Sequence, residues 1–242
     1  MYKIMTPGPT QVRENVRMAR SLACTNPDLD ETFVDFYKET CELISHLLHT
    51  GNETLILGGE GILGLEAACA SLTEPGDPVL VLDNGVYGRG FADFVTMYGG
   101  KPVLYSVDEK NPIAPAALEE YLKEHHDYKY ATLVHCDTPS GMLNDISVLC
   151  PLLKKYGILT VVDSVSGMFG EDVRVDDFQI DLLCGGSQLD EGSLKLLEEK
   201  YPYYMIMALA IQKDSGIEDL LFTSSLEKTL TSQFALKFIS LD

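Results

Sequence analysis

Basic residues are scarce. The chain carries 18 lysines and arginines against 37 acids in 242 residues, a formal net charge of -19. A surface of that sign repels phosphate backbones, which argues against nucleic acid as a partner. It leaves room for an anionic small molecule, because backbone N–H groups at a helix start can bind one locally. Closely spaced cysteines are also missing. Cys24, Cys41, Cys69, Cys136, Cys150 and Cys184 form no C-x-x-C pair and lie mostly within apolar patterns. That spacing excludes the common zinc motifs, so no metal site is expected, and it fits buried free thiols in a reducing cytoplasm. The first residues, MYKIMTPGPT, lack a charged segment followed by an apolar core, so no secretory signal is expected. The longest apolar run, YYMIMALAI at 203–211, falls far short of the roughly 20 residues that span a bilayer. A soluble cytoplasmic protein with no membrane partner is the expectation.

What is present is a rhythm. Hydrophobic residues make up 45% of the chain, enough for a sizeable core. After an extended, Pro-rich opening around Thr6-Pro7-Gly8-Pro9-Thr10, a helix is expected where Phe33, Phe36, Tyr37, Ile44, Leu47 and Leu48 recur at helical spacing. Strands are then expected at TLILGG, PVLVLDNG, KPVLYSV, ATLVHCD, ILTVVDS and DLLCGG. Helices are expected between them at GILGLEAACASL, GRGFADFVTMYGG, APAALEEYLKEHH and ISVLCPLLKKYG. Short Val/Ile/Leu-rich strands alternating with helices indicate a parallel sheet covered on both faces. After Gln188 the alternation stops. The stretch 203–213 suits either element, while 189–202 and 223–241 read as helices, so the tail as a whole is expected to be helical.

One glycine loop has two readings. Gly59-x-Gly61-x-x-Gly64 follows a strand and opens a helix, and Asp83 ends the next strand. That pattern matches the dinucleotide fingerprint, with Asp83 on a ribose. Any phosphate would nevertheless suit the same free N–H groups and helix dipole. Other strand ends are loaded as well: Tyr87 lies just past one, Thr138, Pro139 and Ser140 past another, and Asp163 closes a wholly apolar strand. In an open α/β sheet such ends converge on the ligand. A buried Asp163 needs a cation beside it, or else serves as a turn or cap acid. A phosphate cradle, an aromatic plate, a hydroxyl and a buried acid together suit pyridoxal 5'-phosphate (PLP).

The segments TPGPT, EGILGLEAA, GVYGRGF, HCDTPSG, VVDSVSG and GGSQ, in this order and spacing, resemble the class V aminotransferases of PLP fold type I. The similarity is greatest to the alanine–glyoxylate, serine–pyruvate and phosphonate aminotransferases, and it covers residues 1–188. It implies a three-layer α/β/α fold with a mainly parallel sheet, a PLP-binding large-domain core at 1–188, and an atypical tail at 189–242 in place of most of the small domain. It also implies a homodimer, with a small amino acid and a 2-oxo acid as substrates. Glu60, Gly61 and Ile62 fall on the phosphate loop, Tyr87 on the ring-stacking aromatic, and Thr138 near the ring hydroxyl. Asp163 falls on the acid that keeps the ring nitrogen protonated, Gln188 beside the cofactor, and Gly8 where the N-terminal segment reaches the substrate.

The chain departs from the family pattern at three points. Glu60 and Ile62 offer no hydroxyl to a phosphate, so Glu60 is expected to point away. The lysine that follows GGSQ in the family, which attaches the cofactor and shuttles the proton, is here Leu189. The nearest lysine downstream is Lys195, and no arginine follows Arg174, so the usual substrate-carboxylate clamp has no counterpart. Three readings remain open: a family member that binds PLP non-covalently with reduced or no turnover, a non-catalytic interaction protein, and a dinucleotide-binding oxidoreductase.

Overall fold

The computed structural model describes residues 28–186 without a break, and residues 11, 14–19, 21, 26 and 208–211 besides. The chain forms α1 (Glu14–Ala19), α2 (Thr32–Leu47), β1 (Thr54–Ile56), α3 (Gly61–Leu72), β2 (Pro78–Asp83), α4 (Val86–Met97), β3 (Lys101–Ser106) and α5 (Pro115–Glu124). It continues with β4 (Tyr130–Val134), β5 (Cys136–Asp137), β6 (Met142–Leu143), α6 (Ile146–Lys155), β7 (Leu159–Asp163), β8 (Leu182–Cys184) and β9 (Ala208–Ile211).

The main sheet has the order β1-β9-β8-β7-β4-β2-β3. The pairs β2/β3, β2/β4, β4/β7 and β7/β8 are parallel. Only β9 opposes its neighbours, running antiparallel to both β1 and β8. The sequence dictates the parallel part. The inner strands β2, β4, β7 and β8 are apolar at nearly every position, so each must be covered on both faces, and helical crossovers supply that cover. On one face Leu65, Cys69 and Leu72 of α3 and Phe91 and Val95 of α4 pack on Val79, Val81, Val161 and Leu182. On the other, Ile44 of α2, Leu118 and Leu122 of α5, and Leu149 and Leu153 of α6 pack on Leu80, Leu133, Val162 and Leu183. The period-two alternation along β2, β7 and β8 sorts their side chains between these two cores. The result is the three-layer α/β/α fold that the resemblance implied.

Local signals set the element ends. Pro115 opens α5, where its missing N–H costs nothing. Gly157 closes α6 at φ 74°, and its amide bonds the Lys154 carbonyl at 2.9 Å. A partly buried pair then ties α6 to the start of β8. Lys154 Nζ reaches Asp181 Oδ1, and the other oxygen of Asp181 accepts from the Thr160 amide at 2.9 Å.

Two sequence readings need correction. The short helix α1 had no counterpart in the pattern. The tail as a whole was expected to be helical, yet 208–211, inside the stretch that suited either element, is a strand. The physical reason is tertiary: β1 and β8 each present an edge of unpaired backbone groups, and an apolar segment between them satisfies both. The two helices read at 189–202 and 223–241 lie outside the described residues.

Candidate functional site

Parallel pairing delivers the strand ends to one edge of the sheet. Val134, Asp163 and Cys184 stand in one register row across β4, β7 and β8. Continuing the register of β2 on β4, Asp83 comes level with them. The polar segments that follow β2, β4 and β7 therefore emerge on the same side.

Asp163 is the centre of this edge. It is only 7% exposed. One oxygen accepts the Val165 amide at 3.0 Å, a turn bond, so Asp163 is also a turn acid. No cation pairs with it among the described residues. Burial pushes its pKa up to about 6; the Val165 N–H pulls the other way, and the charge of Asp137 adds to the rise. A carboxylate held in this state favours any cation placed against its free oxygen.

Three segments meet around Val165, just past Asp163. A Cβ on Gly61 would lie 2.5 Å from Val165 Cγ2. A Cβ on Gly186 would lie 3.4 Å from Val165 Cγ1 and 3.9 Å from the Gly61 Cα. The start of α3, the turn after β7 and the end of β8 are thus in contact, and only glycine permits the approach at Gly61. The Gly61 and Ile62 amides that open α3 have no intrahelical acceptor and carry the positive end of the helix dipole, whereas the Leu63 amide already bonds the Glu60 carbonyl at 2.9 Å. Glu60 precedes them in an extended conformation, is exposed, and makes no side-chain cap bond. Ile62 is also exposed, at 57%. The cradle at 60–62 therefore consists of backbone.

Thr138 and Tyr87 complete the edge. The Thr138 hydroxyl meets the Ser166 hydroxyl, which ties the loop after β4 to the turn after Asp163. Tyr87 sits in the first turn of α4 with half its surface exposed, so its ring is not core packing. Its amide donates to Asp137 Oδ1 at 3.3 Å. Gly8, Gln188 and Leu189 lie outside the described residues.

Asp83 is not available for a ribose. It is 2% exposed, its Oδ2 accepts from Arg89 Nε and Nη2 at 3.1 and 3.0 Å, and it accepts from the Ser106 hydroxyl at 2.8 Å. The acid that the dinucleotide reading requires is thus spent on a structural ion pair, and that reading is withdrawn. Among the described residues no group of three or more His, Cys, Asp and Glu side chains could hold a metal.

Sequence reasoning missed several residues here. Asn84 and Asn144 bond each other reciprocally at 2.9 and 3.2 Å, and Asn144 also takes the Ile113 amide and reaches the Val134 carbonyl. His135 is buried against Ser164, with Nδ1 and Oγ 2.9 Å apart, and burial lowers its pKa to about 4. Asp137 and Ser166 lay inside quoted motifs but were given no role. Asp137, three residues before Ser140 and four before Gly141, carried a visible turn signal.

The family described as Aminotransferase class-V matches residues 14–188. The chain is 32% identical over 185 residues to an uncharacterized aminotransferase of Methanocaldococcus jannaschii, covering 76% of this chain and 48% of that protein. It is 35% identical over 159 residues to the pyridoxamine–pyruvate transaminase of Mesorhizobium japonicum, covering 66% and 40%. The crystal structure of pyridoxamine-pyruvate aminotransferase from Mesorhizobium loti superposes with a TM-score of 0.79 at 27% identity, covering 88% of this chain and 52% of that one. The chain spans about half the length of the curated relatives it matches.

Proposed function

This chain belongs to the class-V aminotransferases, a PLP-dependent family, and from that premise we propose that it binds PLP non-covalently at the C-terminal edge of the sheet. The observation that carries the reading is Asp163: a buried carboxylate with a raised pKa and no cation beside it among the described residues. A protonated pyridine nitrogen is the partner that such a group lacks. The surrounding residues fit the rest of the molecule. The amides of Gly61 and Ile62 at the start of α3 would receive the phosphate. Tyr87 would cover a ring face, Thr138 would approach the ring hydroxyl, and Gln188 would lie alongside. Glu60 supplies no hydroxyl but, being exposed, puts no carboxylate of its own into a cap bond with these amides.

The reaction proposed for the site is amino transfer between a small amino acid and a 2-oxo acid, with the substrate reached by Gly8. When bound, PLP supplies an electron sink for carbanion formation. Asp163 would keep the ring nitrogen protonated. Leu189 can neither attach the cofactor nor move a proton, and loss of such a proton carrier alone costs on the order of 10²–10⁴-fold in rate. That residue favours the second reading, a PLP-binding or interaction protein without turnover.

A homodimer is proposed as well, supported by the exposure of Ile62, Val86 and Tyr87 beside the site. The free, buried thiols of Cys69, Cys150 and Cys184 support a reducing, cytoplasmic location. The net charge of -19 counts against nucleic acid. No helix among the described residues is long and apolar enough to cross a membrane.

The test is a PLP titration of the protein beside Asp163→Ala and Leu189→Lys, followed by borohydride reduction and peptide mapping. Saturable binding that Asp163→Ala abolishes is expected, with a cofactor-modified lysine only in Leu189→Lys. Equal binding by Asp163→Ala would remove the proposal. A modified lysine in the unaltered chain would overturn its non-covalent part.

A further inference from the structure

We propose that Asp137 is a positioning residue for the site: its carboxylate caps α4 from outside the helix and holds Tyr87 in place as the ring plate. The inference rests on the PLP reading above and adds a residue to it.

The need for an outside cap is evident at the start of α4. Its N-cap residue is Gly85, which has no side chain and so makes no cap bond. The first-turn amides would otherwise lack a protein acceptor. Asp137, on β5, fills the gap. It is 1% exposed, and its Oδ1 accepts the Tyr87 amide at 3.3 Å. A Cβ on Gly85 would lie 2.6 Å from the Asp137 carboxyl carbon and 2.7 and 2.8 Å from its oxygens. Gly85 is therefore the notch into which the carboxylate fits. A negative charge at a helix N-terminus is also favoured by the dipole.

Asp137 is itself held. Its Oδ2 accepts from the Ser140 amide at 3.2 Å and from the Ser140 hydroxyl at 2.7 Å, and its carbonyl accepts the Gly141 amide at 2.8 Å. The next residue, Thr138, reaches the other way, to Ser166. Two consecutive residues thus bracket the site. One fixes the aromatic plate, and the other fixes the turn that carries Asp163. A plate carried on a helix that could fray would lose contact area with the ring. A plate on a capped helix is pre-organised.

An amide at this position cannot replace the acid. The carboxylate accepts from two N–H groups on opposite sides, Tyr87 and Ser140, whereas an asparagine turns a donor toward one of them. The test is a double-mutant cycle on the full chain with Asp137→Asn, Tyr87→Ala and the double variant, read as PLP affinity by titration. Asp137→Asn is expected to weaken PLP about tenfold, the scale of one charge-assisted hydrogen bond, but by less than about twofold when Tyr87 is already alanine. Equal, additive losses in both backgrounds would overturn the inference. If Asp137→Asn does not fold, Gly85→Ala displaces the carboxylate without removing it, and the same coupling is expected. If the unaltered chain binds no PLP, the cofactor reading falls by itself. Amide hydrogen exchange at 85–88 then decides: faster exchange in Asp137→Asn supports the positioning role, and unchanged exchange ends it.

Discussion

The amide of His135 donates to the carbonyl of Asp163 at 2.7 Å, joining two ionisable residues whose proton affinities are displaced in opposite directions. Burial pushes the His135 pKa down to about 4. Burial, with Asp137 adding to it, pushes Asp163 up to about 6. Each is buried in its less favoured charged form only at one end of the pH scale: His135 in acid, Asp163 at neutrality.

Their contributions to stability oppose each other between about pH 4 and 6. Asp163 binds a proton more tightly folded than unfolded, so it stabilises the fold as pH falls from 6 toward 4 and opposes it above 6. His135 binds its proton less tightly folded, so its contribution is present above about 6.5 and is lost as pH falls toward 4. Asp163→Asn removes the first term alone and keeps the acceptor for the Val165 amide. The variant without cofactor should therefore be more stable than the parent at pH 7, by roughly 1–3 kcal/mol for a shift of about two units. It should also lose more stability than the parent on acidification from 6 to 4. At the same time it should bind PLP more weakly, because the stability cost and the binding gain come from the same charge. Urea unfolding at several pH values beside a PLP titration checks all three signs. A variant less stable than the parent at pH 7 would show that Asp163 already has a cationic partner.

Lys154 and Asp181 mark the opposite end of the sheet. Asp181 has no exposed surface, and with Lys154 it also holds the Thr160 backbone. Lys154→Met leaves the carboxylate, among the described residues, with Thr160 as its remaining hydrogen-bond partner. A loss of about 1.5–3 kcal/mol is expected, the worth of a hydrogen bond to a charged group. PLP affinity should be unchanged, since the pair lies at the start of β8 and the site at its end. Thermal melts and titration on one sample separate the two effects, and a matching fall in affinity would contradict the placement of the site.

The fold was legible wherever pattern is local. The runs at 78–83, 130–134 and 159–163 are apolar at nearly every position, and only a strand covered on both faces uses such a run. The strand ends could therefore be named, and the structure gathers Gly61, Tyr87, Thr138 and Asp163 on one edge. What sequence could not show was partnership across distance. The alternative dinucleotide reading could give Asp83 a ribose because Arg89 and Ser106, which consume it, meet it only through α4 and β3. Asp137 was passed over because its partner, the Tyr87 amide, lies 50 residues away. The strand at 208–211 depends on the edges of β1 and β8, so its own composition left the choice open.

Gly61 offers a test of how closely the site is packed. Its position in the first turn of α3 would ordinarily favour alanine, by up to about 1 kcal/mol on helix propensity. The contact decides otherwise. A Cβ there would stand 2.5 Å from Val165 Cγ2 and 3.1 Å from Cγ1, too close for either group to remain where it is. Gly61→Ala should therefore destabilise by about 1–3 kcal/mol, the usual cost of overpacking, and should weaken PLP by moving the α3 amides away from the turn after Asp163. Val165→Ala removes both methyl groups from the contact. The double variant should recover most of the stability and the affinity that Gly61→Ala loses. Unfolding and titration of the three variants check this, and no recovery in the double variant would mean that the start of α3 does not rest on Val165.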